Sequence, residues 1–357
     1  MPVHTVLHLG RSGRPARGLS IVELMVALVI GLMVSLAAGI TAQVFMASQR
    51  QGVGVSGGSL SAASSLAALK NDVAAAGLGF FGNGNYVCNT LNFGVAGTPV
   101  SDGAAFAPVR AARVGANDRL EVVYANAVTG GAAVKLAAPS TGTTATMDTL
   151  LPVTAGQAVL MSPDAAGTPC LVRRVTATVA PTPTAKQVVT FGGAADYNST
   201  TFATPPAFNE DAVVTLIGDL TWNTYSLVGT DLTLTRRITG ASAVLMRNVI
   251  GFRVEYGASS VAAGSTTLET WEEPTGAWAT IDDSNVRRVR AVRVGIVVRS
   301  PQPAQVNDVT GVCEASTAKP QLFGNVIEPD VVDWQCYRYR TQIVVVPMRN
   351  VIYGIQS

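Results

Sequence analysis

The stretch PARGLSIVELMVALVIGLMV, residues 15–34, is apolar from Leu19 onward apart from Ser20 and one carboxylate, Glu23. From Leu24 to Ala42, nineteen residues carry no charge, about the length at which a helix crosses a bilayer. An isolated charge in such a segment costs about 2.5–3.5 kcal/mol on insertion scales, so the carboxylate calls for a partner or a function. Upstream lie Arg11, Arg14 and Arg17 with no acid among residues 1–18, which keeps that flank on the cytoplasmic side. A secretory signal peptide has a shorter apolar region, with its cleavage site after that region. A plain membrane anchor explains the length of the run and leaves Glu23 unexplained.

Working outward, the chain has 357 residues, of which 48% are hydrophobic and only 13% charged. That excludes wholesale disorder, which needs low hydrophobicity and high net charge. The formal charge of +2 falls by three to −1 without the leader arginines, so composition makes no case for nucleic acid. Both histidines, His4 and His8, lie in the leader. If it is removed, a Ser-His-Asp triad, a Cys-His pair and a His-ligated metal are all excluded.

The residues Gly18, Leu19 and Glu23, followed by an unbroken apolar run, resemble the class III signal of type IV prepilins and type II secretion pseudopilins. That resemblance implies cleavage between Gly18 and Leu19 by prepilin peptidase, then methylation of the Leu19 amine. It places Glu23 at the fifth mature position, where the carboxylate compensates the N-terminal amine of a neighbouring subunit as helices stack. Leu19 departs from the usual Phe or Met at the first position. In low dielectric, carboxylate and ammonium attract strongly and each offsets the other's desolvation.

After the span, Gly52, Gly54, Gly57 and Gly58 weaken helix locally. Helical spacing resumes at Leu60, Leu66, Leu69 and Val73, with Gly77 as a C-cap. One helix over 20–76 is expected, soft near 52–58. Beyond residue 80 the pattern is strand-like: 119–126, 157–162, 170–179, 212–218, 223–238, 249–257, 289–300 and 337–350 are rich in β-branched residues. VGTDL (228–232) is a hairpin turn, and the Ala/Thr/Gly stretches 130–148 and 180–206 read as long surface loops. The strand order, from NDRLEVVYAN through MRNVIGFRVEYG and VRAVRVGIVVRS to YRYRTQIVVVPMRN, resembles the PilW family of minor pilins. Removing 18 leader residues from 357 leaves 339, long for a major pilin.

The fold class expected is therefore α+β, a long pilin-like apolar helix on a β-rich globular domain. Its parts are a leader (1–18), a membrane and filament-core helix (19–50), an amphipathic second half (51–79) and a periplasmic domain (80–357). All four cysteines fall on the periplasmic side, where disulfides persist. They allow three connectivities. The pairing chosen is Cys313–Cys336, closing a C-terminal loop, and Cys88–Cys170, tying the post-helix loop to the sheet.

Several motifs are set aside. GVGVSG (52–57) and GVSGG (54–58) match dinucleotide-loop and nucleophile-elbow patterns, but each of those needs a preceding strand. Glu272–Glu273 and Asp282–Asp283 read as solvated loop acids. Arg287, Arg288, Arg290, Arg293 and Arg299 read as a solvated or edge-guarding strand face, because no aromatic residues interleave them. The function expected is a non-enzymatic minor pilin of the bacterial inner membrane, without cofactor or metal, that primes pilus assembly in an initiation or tip complex. The partners implied are prepilin peptidase, other minor pilins, the major pilin, the inner-membrane assembly platform and membrane lipid; nucleic acid has no support in the sequence. A J-like secretion pseudopilin and a tip adhesin or DNA-binding pilin are the alternatives.

Overall fold

No proline interrupts residues 21–75, and Ala and Leu recur throughout, so the backbone there is free to stay helical. The computed structural model describes residues 20–80, 88, 90–126, 133–164, 168–193, 196–261, 265–307 and 310–356, with backbone only at 40, 42–62, 283 and 353–356. Helix α1 is Ile21–Ala75 and remains helical across the four glycines at 52–58. Just past its end Gly77 takes φ +82°, a left-handed conformation that a side chain would strain, and its N–H donates to Val123 O at 3.0 Å. Two compact units divide the chain, Met1–Ser56 and Gly57–Ser357.

The second unit is built mainly of strands. In chain order they are β1 (Thr90–Val95), β2 (Thr98–Ala105), β3 (Val109–Val114), β4 (Asn117–Ala125), β5 (Ala133–Lys135), β6 (Thr144–Thr146) and β7 (Ala158–Ser162). There follow β8 (Cys170–Arg174), β9 (Ala177–Val179), β10 (Val188–Thr190), β11 (Val213–Gly218), β12 (Leu220–Val228), β13 (Asp231–Arg236), β14 (Ser242–Met246), β15 (Val249–Ala258) and β16 (Thr270–Glu272). After the short helix α2 (Asp283–Val286) come β17 (Val289–Arg299), β18 (Gln321–Leu322), β19 (Asn325–Val326), β20 (Tyr339–Pro347) and helix α3 (Arg349–Gln356).

A five-stranded antiparallel sheet runs β14-β13-β12-β4-β3, and a four-stranded antiparallel sheet runs β16-β15-β17-β20. Side chains at the start of β4 stitch the two together. Asn117 Oδ1 accepts the Phe252 N–H at 2.9 Å, and Asp118 Oδ2 accepts the Val254 N–H at 2.8 Å. A six-stranded mixed sheet runs β2-β1-β8-β7-β11-β5, with β1 parallel to β8. The main core joins Leu66, Leu69 and Val73 of α1, and Ala76 just past its end, to Leu120, Val122, Trp222 and Tyr225 of the five-stranded sheet, and to Phe252, Val254, Val292 and Val294 of the four-stranded one.

Two sequence expectations are corrected here. The stretches 130–148 and 180–206 are not long surface loops: they supply β5, β6 and β10 and bury Leu136, Met147, Val189, Phe191 and Phe202 in a second core with Val159, Met161 and Leu171. Three-residue strands are too short to show a period of two, so the burial of their few apolar residues is invisible locally. The run 170–179 is two strands rather than one; β8 and β9 belong to different sheets.

Candidate assembly site

The N-terminus of α1 is closed by its own side chains. Ser20 Oγ accepts the Val22 N–H at 3.3 Å, and Glu23 Oε2 accepts the Ser20 N–H at 3.1 Å. This is a variant of the reciprocal S-x-x-E cap, with the Ser20 hydroxyl on the second helical N–H rather than the third, and it satisfies donors that a helix start otherwise leaves open. Ser20-Ile21-Val22-Glu23 carries the sequence signature of this cap, beside the charge of Glu23. Glu23 is exposed, and among the described residues its second oxygen, Oε1, has no partner. Gly18 and Leu19 lie outside the described residues.

Downstream, Ile21–Gly39 is long and apolar enough to cross a membrane and none of it is buried. Leu24, Leu28, Leu32 and Leu36 are each more than half exposed, and so are Met25, Val29 and Met33. Apolar side chains thus surround the helix on every side, the pattern of a segment made for lipid or other helices. A Cβ added at Gly31 or Gly39 would meet nothing within 4 Å.

The segment 65–76 is built differently. Leu69 and Val73 are wholly buried against the sheets, and Ser65 Oγ donates to Leu245 O at 2.8 Å. Asp72 accepts three hydrogen bonds from the five-stranded sheet: Tyr124 hydroxyl at 2.9 Å, Asn223 Nδ2 at 2.5 Å and Tyr225 hydroxyl at 2.5 Å. Burial, and then Asp72 beside it, pushes the Tyr124 hydroxyl up to about 12; the same causes raise Tyr225 further. Both phenols therefore stay protonated donors. Asn350, at the start of α3, points its Nδ2 at Ala74, Ala75 and Ala76 O (3.2–3.3 Å), of which Ala75 O also accepts the Leu78 N–H, and so caps the helix end. This cap comes from 275 residues away and has no sequence signature.

The four cysteines form two bonds, Cys88–Cys170 and Cys313–Cys336. The first ties the segment after α1 to β8; the second closes the loop between β17 and β20. The set-aside motifs fall elsewhere. Gly52–Gly58 sit on helical backbone, and among the described residues what precedes them is the same helix. Glu273 pairs with Arg113 Nη2 at 3.0 Å and accepts from Asn325 at 2.8 Å, while Asp282 caps α2 through the Ser284 N–H.

Arg288 and the arginines of β17 are neither a solvated nor an edge-guarding face, because β17 lies between β15 and β20. Arg288 donates to Ser259 O and stacks on Trp278. Arg290 is buried and donates to Arg287 O and Val261 O. Arg293 pairs with Glu255 between the rings of Trp271 and Phe323, and Arg299 pairs with Asp330 at 2.6 Å beside Tyr337. Their charges are spent inside the fold. Apart from Arg287 O, these hydrogen-bond and ion-pair partners come from loops and strands about thirty or more residues away, which spacing alone does not reveal.

Comparison with known proteins adds two family matches. Residues 216–350 match the model for type IV pilus-assembly protein W, and residues 13–39 match the prokaryotic N-terminal methylation motif. The first match begins within β11, later than the strand around Asn117–Ala125 where the sequence likeness was seen to start. Among solved structures the chain is similar to a type IV-like pilin from Thermus thermophilus, with 10% identity, a TM-score of 0.33, and coverage of 82% of this chain and 96% of that one. No curated protein matches.

Proposed function

We propose that this chain, a type IV pilin-like protein with a PilW domain, is a minor pilin that helps prime pilus assembly from the inner membrane. The observation that carries the reading is the head of α1: one exposed carboxylate within the apolar segment Ile21–Gly39, none of which is buried, shortly after Gly18-Leu19. Prepilin peptidase would cut between Gly18 and Leu19 and methylate Leu19. Ile21–Gly39 would hold the subunit in the bilayer and then pack among the helices of other minor pilins and the major pilin at the assembly platform. The β-rich unit would face the periplasm, and the protein acts by assembly rather than catalysis.

Glu23 has two tasks in this account. Oε2 closes its own helix through Ser20, which leaves Oε1 to meet the N-terminal ammonium of a neighbour. The bond to Ser20 also lowers the cost of keeping the carboxylate in the membrane, since it is already hydrogen-bonded before assembly.

The test is the mass of the N-terminal peptide of membrane-extracted protein, read together with co-purification of other pilins. A chain starting at methylated Leu19 and recovered with pilin partners is the expected result. An intact leader, or a cut after the apolar run, removes the pilin reading.

A further inference from the structure

The last strand of the four-stranded sheet is left open. Met348 N–H, just past β20, donates to Arg290 O at 2.9 Å and so faces β17. Backbone groups alternate sides along a strand, so those of Val346, Val344 and Gln342 also face β17, while those of Val345, Ile343 and Thr341 face outward. Pro347 falls on the outward set, where its missing N–H leaves the pairing with β17 intact. Among the described residues no backbone partner meets the outward groups of 341, 343 and 345.

The side chains tell the same story. On the outer face of this sheet, Leu322 and Phe323 lie over Gly295, where a Cβ would come within 2.9 Å of the Phe323 ring. Leu322 and Ile327 close a small core over Val297. Over β20 this cover reaches Tyr339, which packs on that core, and Thr341, whose hydroxyl donates to Gln321 O at 3.3 Å, and goes no further along the strand. Beyond it Ile343, opposite Gly295, is 53% exposed and Val345, opposite Arg293, is 50% exposed.

Open edges are usually guarded by charge or kept short. Outer strands β2, β3, β5 and β16 carry Asp102, Arg110 and Arg113, Lys135 and Glu272; β9 and β14 are uncharged but only three and five residues long. β20 has nine residues, and its one charge, Arg340, sits near the start.

We propose that β20 pairs antiparallel with β20 of a second copy of this chain, with Ile343 opposite its own counterpart. The choice of a second copy rests on self-complementarity. In that register Thr341 faces Val345 of the copy and Gln342 faces Val344, which are favourable β-branched and neutral pairs. Arg340 faces Val346, so no like charges oppose. The outward N–H and C=O groups of 341, 343 and 345 all find partners; Ile343 covers its equivalent, and Val345 lies opposite Thr341 and diagonal to Ile343 of the copy. The pairing joins two four-stranded sheets into one and does not depend on the pilus role proposed above.

The test uses the full-length protein in membranes carrying Ile343→Cys. All four native cysteines are in disulfides, so the new thiol is unique. Directly opposed residues in an antiparallel pair have Cα atoms about 4.5–5.5 Å apart, within reach of a disulfide. After mild oxidation with copper phenanthroline, a non-reducing gel should show a band at twice the subunit mass. Adding Val345→Lys, a charge on the outward face that leaves the pairing with β17 in place, should abolish that band. Val332→Cys, a wholly exposed position outside the strand, should stay monomeric. The proposal fails if Ile343→Cys is labelled by a maleimide yet does not cross-link, or if Val332→Cys cross-links equally. It also fails if the cross-linked species has the mass of a different partner, which would assign the edge to another protein.

Discussion

Residues 21–39 and 65–75 belong to one helix, yet they are designed for different surroundings. The first segment is apolar on all sides and offers no preferred face; its single polar device is the Ser20–Glu23 cap at the end. The second buries one stripe, Leu66, Leu69 and Val73, and carries polar side chains that reach specific acceptors and donors. A helix in lipid gains nothing from choosing a face, because hydrocarbon is as apolar as leucine. A helix on a sheet must choose one, and its hydrogen bonds then set rotation and register against that sheet. The contrast separates mutations that stop assembly from those that loosen the globular unit.

The largest effect is expected at Gly18→Glu, which puts a bulky charge at the cleavage position. Processing should be lost and assembly with it, while the globular unit keeps its disulfides. Mass spectrometry of the N-terminus together with thiol labelling checks this, and normal cleavage in the variant refutes the assignment of Gly18. Next comes Glu23→Ala. Loss of one partner of a buried pair costs about 3–5 kcal/mol, or roughly two to three and a half decades in association. The variant should remain cleaved and inserted but fail to co-purify with other pilins, and Glu23→Asp should fall between. Co-purification equal to wild type would reduce Glu23 to a helix cap, worth about 1 kcal/mol.

Within the seated segment, Leu69→Ala removes a wholly buried side chain and should destabilise the globular unit by about 2–5 kcal/mol. Leu32→Ala, 64% exposed on the apolar segment, should leave it unchanged. Denaturant melts of the two variants sharpen the comparison, which collapses if both respond alike. Asp72→Ala strands the hydroxyls of Tyr124 and Tyr225 and the amide of Asn223, each donor costing up to about 1–3 kcal/mol if water does not reach it. Proteolysis near residues 64–76 should speed up. Asn350→Ala is the smallest change, about 1 kcal/mol for a lost cap, and should show as faster amide exchange at the C-terminal end of α1 alone.

Strong local periodicity made some features legible. Helix α1 was expected over 20–76 and spans Ile21–Ala75; the hairpin at 228–232 and the strands around Val249–Ala258 and Val289–Arg299 follow the β-branched runs. Weakly periodic regions were misread. Met147, Phe191 and Phe202 lie far apart in Ala/Thr/Gly-rich sequence, and only their meeting in a second core shows that they are interior.

What the sequence determined by itself was whatever depends on near neighbours: the charge step at Arg17 and Glu23, the unbroken apolar run, the caps and turns, and the alternation in long strands. Such features follow from intrinsic propensity and solvent preference, and both act within a few residues. Tertiary structure alone decided what needed distant partners. It set Asn350 on the carbonyls of Ala74–Ala76, gathered Tyr124, Asn223 and Tyr225 around Asp72, and moved the arginines of β17 from an imagined surface into stacked and paired sites. The physical reason is that a polar side chain's role is set by which groups are within about 3 Å of it, and no local pattern encodes that.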